Sequence, residues 1–320
     1  MKIVTVTRRL PAAVEERLAD RFDVRLNATD VPLDAQGLAD ALRHSDAVVP
    51  TLGDALNASL LGGPNVRARM LAHFGAGYDN IDVVVARTQG IVVSNTPGVL
   101  TADTADLAML LLLGAARRAG EGERELRSGS WTGWRPTHLL GTRVTGKTLG
   151  LVGFGRIGRA VAQRATQGFG MRVLAWSRSL TAAVASDAGV TACATLDQLL
   201  ATADFISVHV PASADTRQLI TEERLALMPR HAILVNTARG DVVDEAALVD
   251  ALRRGIIAGA GLDVFACEPE VSRELLALEN VYALPHLGSA TVESRTAMGL
   301  RVIANLEAFF RGEPVPDRVA

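Results

Sequence analysis

The 320-residue sequence predicts an α/β protein in which parallel sheets are covered by helices on both faces. Two patterns carry that prediction. Short apolar runs alternate with longer stretches whose apolar residues recur every three or four positions. Most of the short runs are continuous rather than alternating, as in Ile233-Leu234-Val235, which suits strands buried on both sides. Length adds a third observation, since at about 100–200 residues per domain the chain makes about two domains.

Taken in order, the runs predict strands over residues 2–7, 47–51, 68–73 and 91–94. Further strands follow over 148–152, 172–175, 205–210, 232–236, 258–262 and 281–284. Helical spacing marks 38–44, 159–168 and 245–253 between them. The turn cluster Asn95-Thr96-Pro97-Gly98 sets a boundary, after which 102–118 reads as one long helix with Thr101 or Asp103 near its cap. Residues 128–141, with Gly129, Gly133, Pro136, Trp131 and Trp134, read as an exposed ordered loop. A third boundary falls at Pro285-His286-Leu287-Gly288, and 291–311 reads as a final helix stopped by Gly312 and Pro314.

Composition narrows the function classes. With 48% apolar and 21% charged residues and a mean hydropathy of +0.21, the chain has the material for sizeable cores. Thirty-three basic residues against 35 acidic ones leave a net charge of −2, so nothing points to nucleic acid. The two cysteines, Cys193 and Cys267, form no CxxC and stand with no histidines at zinc spacing, so no disulfide framework or metal site is expected. The longest apolar stretch, residues 107–116, is too short to span a bilayer, and residues 1–9 do not resemble a secretory leader. The expected setting is therefore the cytoplasm.

The strongest local signal is Gly153-Phe154-Gly155-Arg156-Ile157-Gly158, which fits G-x-G-x-x-G between a buried run and a helix. The first glycine permits a tight turn, the second lets a pyrophosphate approach the backbone, and the third lets helix pack on strand. The free N–H groups and positive dipole end of the helix then face the phosphates. The next strand leads to Ser177-Arg178-Ser179, and Ser177 lies 19 residues after Gly158. NAD binders carry an acid about 20 residues on, for the ribose 2′-hydroxyl. Here a guanidinium flanked by hydroxyls stands in its place, which favours the 2′-phosphate of NADP and leaves NAD as a weaker cofactor. Three chemistry-bearing groups also follow predicted strands: Arg239 in Thr237-Ala238-Arg239-Gly240, Glu268 five residues after Asp263, and His286. Ligands of open α/β sheets bind outside the carboxyl ends of strands, so these groups are candidates to converge beside the dinucleotide.

These segments resemble the D-isomer-specific 2-hydroxyacid dehydrogenase family. The resemblance rests on residues 73–82 (HFGAGYDNID), 95–98 (NTPG), 151–158 (LVGFGRIG), 209–211 (HVP), 236–240 (NTARG), 261–265 (GLDVF), 268–269 (EP) and 284–291 (LPHLGSAT), in the family's order over nearly the whole chain. Trp131-Thr132-Gly133-Trp134 and the Ser289-Ala290-Thr291 after His286 are similar to the glyoxylate/hydroxypyruvate reductase branch. The resemblance implies two Rossmann-like domains, one flavodoxin-like and one dinucleotide-binding, with a cleft between them. Residues 1–98 and 289–320 would bind substrate, and residues 99–288 would bind the dinucleotide. It also implies a homodimer, with Trp134 reaching the neighbouring subunit's substrate pocket.

The family's roles then fall on particular residues. Arg239 would hold the 2-oxoacid carboxylate and polarise its carbonyl. His286 would protonate the carbonyl oxygen as hydride arrives, and Glu268 would orient His286 and favour its charged form. Backbone N–H groups of Gly75, Ala76 and Gly77 would meet the carboxylate, and Leu52 would help wall the pocket. Asp263 would bond the nicotinamide carboxamide, with the Ala238 carbonyl beside it. Thr104, His209, Val210, Pro211, Thr216, Thr237 and Gly288 complete the cofactor set. The resemblance leaves open a broader 2-hydroxyacid dehydrogenase, and a non-catalytic dinucleotide-sensing scaffold as a different class.

Overall fold

The computed structural model describes all 320 residues. They form two compact units, one of residues 1–100 with 289–320 and one of residues 101–288.

In the first unit the elements run β1 (Ile3–Val6), α1 (Ala12–Ala19), β2 (Asp23–Leu26), α2 (Ala35–His44), β3 (Ala47–Val49), α3 (Ala58–Leu61), β4 (Met70–Ala72), α4 (Val83–Thr88) and β5 (Val92–Ser94). The second unit contains α5 (Thr101–Ala116), α6 (Ala119–Ser128), β6 (Thr148–Val152), α7 (Arg156–Phe169), β7 (Arg172–Trp176), α8 (Ala182–Asp187), β8 (Thr191–Ala192), α9 (Leu196–Thr202), β9 (Phe205–Val208), α10 (Glu222–Leu227), β10 (Ile233–Asn236), α11 (Glu245–Arg253), β11 (Gly259–Leu262), α12 (Arg273–Leu276) and β12 (Val281–Ala283). The chain then returns to the first unit as α13 (Val292–Arg311).

The first unit is a five-stranded parallel sheet of order β2-β1-β3-β4-β5, the flavodoxin-like arrangement. One face is covered by α1 and α13, through Val14, Leu18, Val302, Ile303 and Leu306 against Val4, Val6 and Met70. The two helices approach closely at Gly299, where an added Cβ would collide with the Val14 side chain. On the opposite face Leu38, Leu42 and Leu61 pack on Val48 and Leu71. Ala320 closes this unit by exchanging backbone bonds with Val93.

The second unit is a seven-stranded parallel sheet of order β12-β11-β10-β9-β6-β7-β8. It fits the expectation of a doubly wound dinucleotide fold. Its central strands are fully buried, and two apolar clusters cover the two faces, one built on α5 and α7 and the other on α9, α10 and α11. The strand order reverses between β6 and β9, which both pair at the sheet centre and whose outgoing loops diverge to opposite sides. Ligands of such sheets sit at that switch point.

The structure also departs from the sequence reading in instructive places. The helix expected over 102–118 is α5, which stops at Ala116; Arg118 then adopts a left-handed conformation (φ 54°), and a second helix that the sequence reading does not mark, α6, starts after it. Helix α6 has no buried residue, so it carried no apolar periodicity to detect. Strand β2 lies at a sheet edge and is mostly exposed, which gives it no apolar run. No helix is long and apolar enough to cross a membrane.

Candidate active site

The glycine loop joins β6 to α7 at the switch point. Gly153 has φ +101°, and a Cβ there would lie 2.6 Å from the His209 carbonyl oxygen, so the turn is left-handed and pressed against the loop after β9. A Cβ on Gly158 would run into the Gly153 carbonyl oxygen, which packs the helix start onto the turn. Gly155 differs: it is exposed, it caps α7 with no side-chain bond, and a Cβ there would meet nothing within 4 Å. The first-turn N–H groups of α7 therefore open onto free space beside a backbone that carries no side chain. That combination fits a dinucleotide pyrophosphate. Arg156 is exposed and Ile157 half-buried at this opening.

Ser177, Arg178 and Ser179 follow β7, and Arg178 is exposed. Its Nη1 donates to the Asp215 carboxylate at 2.6 Å. His209 follows β9, and its N–H donates to the Val152 carbonyl at 2.7 Å. Its Nε2 meets the Ser207 hydroxyl at 2.9 Å, and burial pushes the imidazole down to about 4. Val210 packs against the core beneath. Thr216 is turned into its own loop: its hydroxyl donates to the Pro211 carbonyl at 2.6 Å and accepts from the Ser213 N–H at 2.9 Å.

Beyond β10, Asn236 builds the next turn. Its side chain accepts from the Ala238 N–H at 3.0 Å and donates to the Arg239 carbonyl at 2.8 Å. Arg239 is half-buried, and its guanidinium donates to the Ala238 carbonyl at 2.8 Å. The Thr237 hydroxyl oxygen is buried with no hydrogen-bond partner. An orphaned donor at the carboxyl edge of the sheet suits a bound polar group. Gly240 has no room for a Cβ, which would overlap the Phe265 backbone, so the loops after β10 and β11 are in direct contact.

That contact brings Glu268 beside Arg239. One Glu268 oxygen accepts from the Phe265 N–H at 3.0 Å, and the other pairs with His286 Nδ1 at 2.7 Å. Burial works to raise the Glu268 carboxyl. The His286 and Phe265 hydrogen bonds and the charges of His286 and Arg239 outweigh it, so the carboxyl is held below the usual range. A carboxylate on Nδ1 fixes the ring orientation and leaves Nε2 for proton exchange.

His286 itself has φ +54°, an uncommon conformation for a side-chain-bearing residue. Asp263 holds it there. The Asp263 carbonyl accepts from the His286 N–H at 2.9 Å, while its carboxylate oxygens accept from the Leu287 and Gly288 N–H groups at 2.6 and 2.8 Å. Three successive amides are thus bound by one residue. Burial raises the Asp263 carboxyl to about 6, against those two hydrogen bonds and the His286 charge. The Gly288 carbonyl is in turn fixed by the buried Thr104 hydroxyl at 2.9 Å. Asp263 and Thr104 were singled out as cofactor contacts; the bonds they make are to the turn that carries the histidine.

In the first unit, the segment after β4 is arranged in an equally particular way. The carbonyls of Gly75, Ala76 and Gly77 accept from the Thr96 N–H at 2.9 Å, Asn95 Nδ2 at 2.7 Å and His73 Nε2 at 2.8 Å. No N–H of these three residues donates within the unit. The Leu52-Gly53 turn is held by Asp54, whose carboxylate takes the Thr51 N–H at 2.7 Å and the Thr7 hydroxyl at 2.5 Å. Leu52 is partly exposed at its tip. Trp134, in the loop after α6, is 82% exposed. No cluster of three or more His, Cys, Asp or Glu side chains could hold a metal.

The chain is similar to known proteins over nearly its whole length. A family model described as D-isomer specific 2-hydroxyacid dehydrogenase, NAD binding domain, matches residues 109–288. The glyoxylate reductase of Thermococcus onnurineus is 44% identical over 320 residues, covering 99% of this chain and 95% of its own. The glyoxylate reductase of Korarchaeum cryptofilum is 45% identical over 318 residues with the same coverage. Among solved structures, the NADPH-dependent glyoxylate/hydroxypyruvate reductase of Sinorhizobium meliloti, in complex with NADP and malonate, superposes with a TM-score of 0.87 at 37% identity, over 100% of this chain and 97% of its own.

Proposed function

The chain belongs to the D-isomer specific 2-hydroxyacid dehydrogenase family, and we propose that it reduces glyoxylate and hydroxypyruvate to their 2-hydroxyacids with NADPH as the preferred cofactor. The observation that carries this reading is the joining of His286, Glu268 and the Arg239 turn at one sheet edge. The glycine cradle opens from the same end of the same sheet. A bound nicotinamide dinucleotide supplies the hydride.

The residues of the chain supply the rest. His286 gives its Nε2 proton to the carbonyl oxygen as the carbon is reduced, and takes it back in the reverse direction. Glu268 keeps the ring aligned and balances the charge it carries before the transfer. The Arg239 fork holds the substrate carboxylate in a geometry that lysine would not reproduce. The free N–H groups of Gly75, Ala76 and Gly77, with Leu52 beside them, are assigned to binding the substrate carboxylate. Gly153, Gly155 and Gly158 take the pyrophosphate, and Thr237 donates its hydroxyl to the nicotinamide end. Ser177, Arg178 and Ser179 take the 2′-phosphate, since this segment carries a guanidinium and two hydroxyls and no acid of its own. The 2-oxoacid substrate and the dinucleotide are the small molecules this assignment calls for.

A homodimer belongs to the same proposal. Helix α6 and the loop that follows expose Leu126, Trp131, Trp134 and Leu140, an apolar surface of the kind that pairs with another copy. Light scattering on the purified protein reads the mass directly, and a monomer would remove this part. The activity is tested by initial rates with glyoxylate and with hydroxypyruvate, each with NADPH and NADH. Faster turnover per unit KM with NADPH is expected. Equal use of both would remove the cofactor preference, and no turnover of either acid would remove the substrate assignment.

A further inference from the structure

Arg178 has a partner within the protein. Its Nη1 donates to Asp215 Oδ2 at 2.6 Å, and both side chains are open to solvent, at 65% and 71% exposure. The two residues come from different loops, one after β7 and one after β9. The second loop is not loose. The Thr216 hydroxyl closes it on Pro211 and Ser213, and the Thr216 and Arg217 N–H groups both donate to the Ser213 carbonyl, at 3.1 and 3.0 Å. Asp215 is therefore carried on a fixed backbone with its carboxylate outward, against the one guanidinium in the Ser177–Ser179 segment.

We propose that Asp215 is a built-in competitor for the 2′-phosphate: its carboxylate occupies Arg178 and so sets how strongly the protein discriminates NADPH from NADH. The proposal rests on the assignment of Arg178 to the 2′-phosphate. A carboxylate and a phosphate monoester present the same kind of oxygen acceptor to a guanidinium, but the phosphate carries nearly twice the charge and a third oxygen. The phosphate therefore displaces the carboxylate, and the displaced anion stays nearby. NADH brings only a hydroxyl to this place and leaves the pair intact. Asp215 thus weakens NADPH without weakening NADH, and holds the enzyme nearer to dual use than Ser177-Arg178-Ser179 would alone.

The size of the effect follows from the exposure of the pair. Breaking a solvent-exposed ion pair costs about 1.5- to fivefold in affinity. Repulsion between the released carboxylate and the phosphate adds about twofold in screened water. Asp215→Asn should then tighten NADPH about three- to tenfold.

The test is equilibrium binding by calorimetry of adenosine 2′,5′-bisphosphate and of ADP, which carry the adenosine end with and without the 2′-phosphate, alongside NADPH and NADH. Wild type, Asp215→Asn, Arg178→Ala and the double variant are compared at one ionic strength. The expected pattern is tighter 2′,5′-bisphosphate and NADPH in Asp215→Asn, ADP and NADH within twofold, and an effect of Asp215→Asn reduced to about the twofold of direct repulsion once Arg178 is alanine. If Arg178→Ala weakens the 2′-phosphate ligands but Asp215→Asn leaves them unchanged or weakens them, the competitor is overturned while the Arg178 assignment stands. If Arg178→Ala leaves them unchanged, the Arg178 assignment fails and the competitor falls with it.

Discussion

Replacing Gly155 by alanine separates folding from cofactor binding. At this position φ is −80° and ψ −159°, which alanine adopts readily, and the new methyl meets nothing within 4 Å. Removing glycine's freedom from the unfolded chain should stabilise the fold by about 0.4–1 kcal/mol. For a unit of this size that raises Tm by about 1–4 °C. The methyl nevertheless projects into the opening at the start of α7, where a pyrophosphate must reach the backbone. Losing one or two charge-assisted hydrogen bonds there, at about 1.5–3 kcal/mol each, weakens NADPH at least tenfold. Thermal shift reads both effects in one experiment. Wild type at a cofactor concentration of about 100 Kd gains about 2.7 kcal/mol, or about 5–11 °C. The variant should start higher and gain about 3–6 °C less. Gly158→Ala is the contrast, since its methyl strikes the Gly153 carbonyl and should lower Tm without ligand. If Gly155→Ala melts as the wild type does and binds NADPH within twofold, the pyrophosphate does not lie on this backbone and the cradle has been misplaced.

Other outcomes follow from the site. His286→Asn, chosen because asparagine tolerates the positive φ of this turn, should cut kcat by about 10²–10⁴ while NADPH still binds within twofold; turnover near the wild-type rate would refute the proton-transfer assignment. Arg239→Lys keeps the charge but not the fork, so KM for glyoxylate should rise at least about tenfold in steady-state kinetics with NADPH affinity unchanged; a change under threefold would exclude bidentate binding. The folded His209 imidazole, depressed to about 4 against an unfolded value of 6.5, contributes stability that is complete above pH 6.5 and lost as pH falls through 4. The loss amounts to about 3 kcal/mol at most, and melting wild type and His209→Gln from pH 7 to 4 should show their Tm difference shifting in the variant's favour. Parallel curves would mean that the histidine is hydrated in the folded protein.

What the sequence revealed follows from where its information is local. Strand β6 is apolar at nearly every position and buried throughout, so residues 148–152 could be read directly, and the glycines after it declared the turn. Strand β2 and helix α6 could not be read in this way, because an exposed edge strand and a helix with no buried face leave no hydrophobic period. Arg239, Glu268 and His286 were picked out as residues following strands. Their mutual placement depends on strand order and on the close approach at Gly240, neither of which any local pattern encodes. Asp263 is the plainest case. The family resemblance assigns it to the nicotinamide carboxamide, and its bonds to three consecutive amides emerge only from the fold. Asp215 carried no signal, being an ordinary surface acid until β7 and β9 bring its loop to Arg178.

The interruption of the first unit has a consequence for how the protein is made. Its sheet comes from residues 1–100, but one face of that sheet is covered by α13, from residues 289–320. During translation the apolar residues Val4, Val6 and Met70 leave the ribosome long before Val302, Ile303 and Leu306 exist to cover them. At about 5–20 residues per second the delay is about 10–50 s. The second unit is contiguous and can close as soon as its own residues have emerged. The order of maturation is therefore inverted relative to the order of synthesis, and the amino-terminal half-core is the segment of the nascent chain that chaperones have most reason to hold.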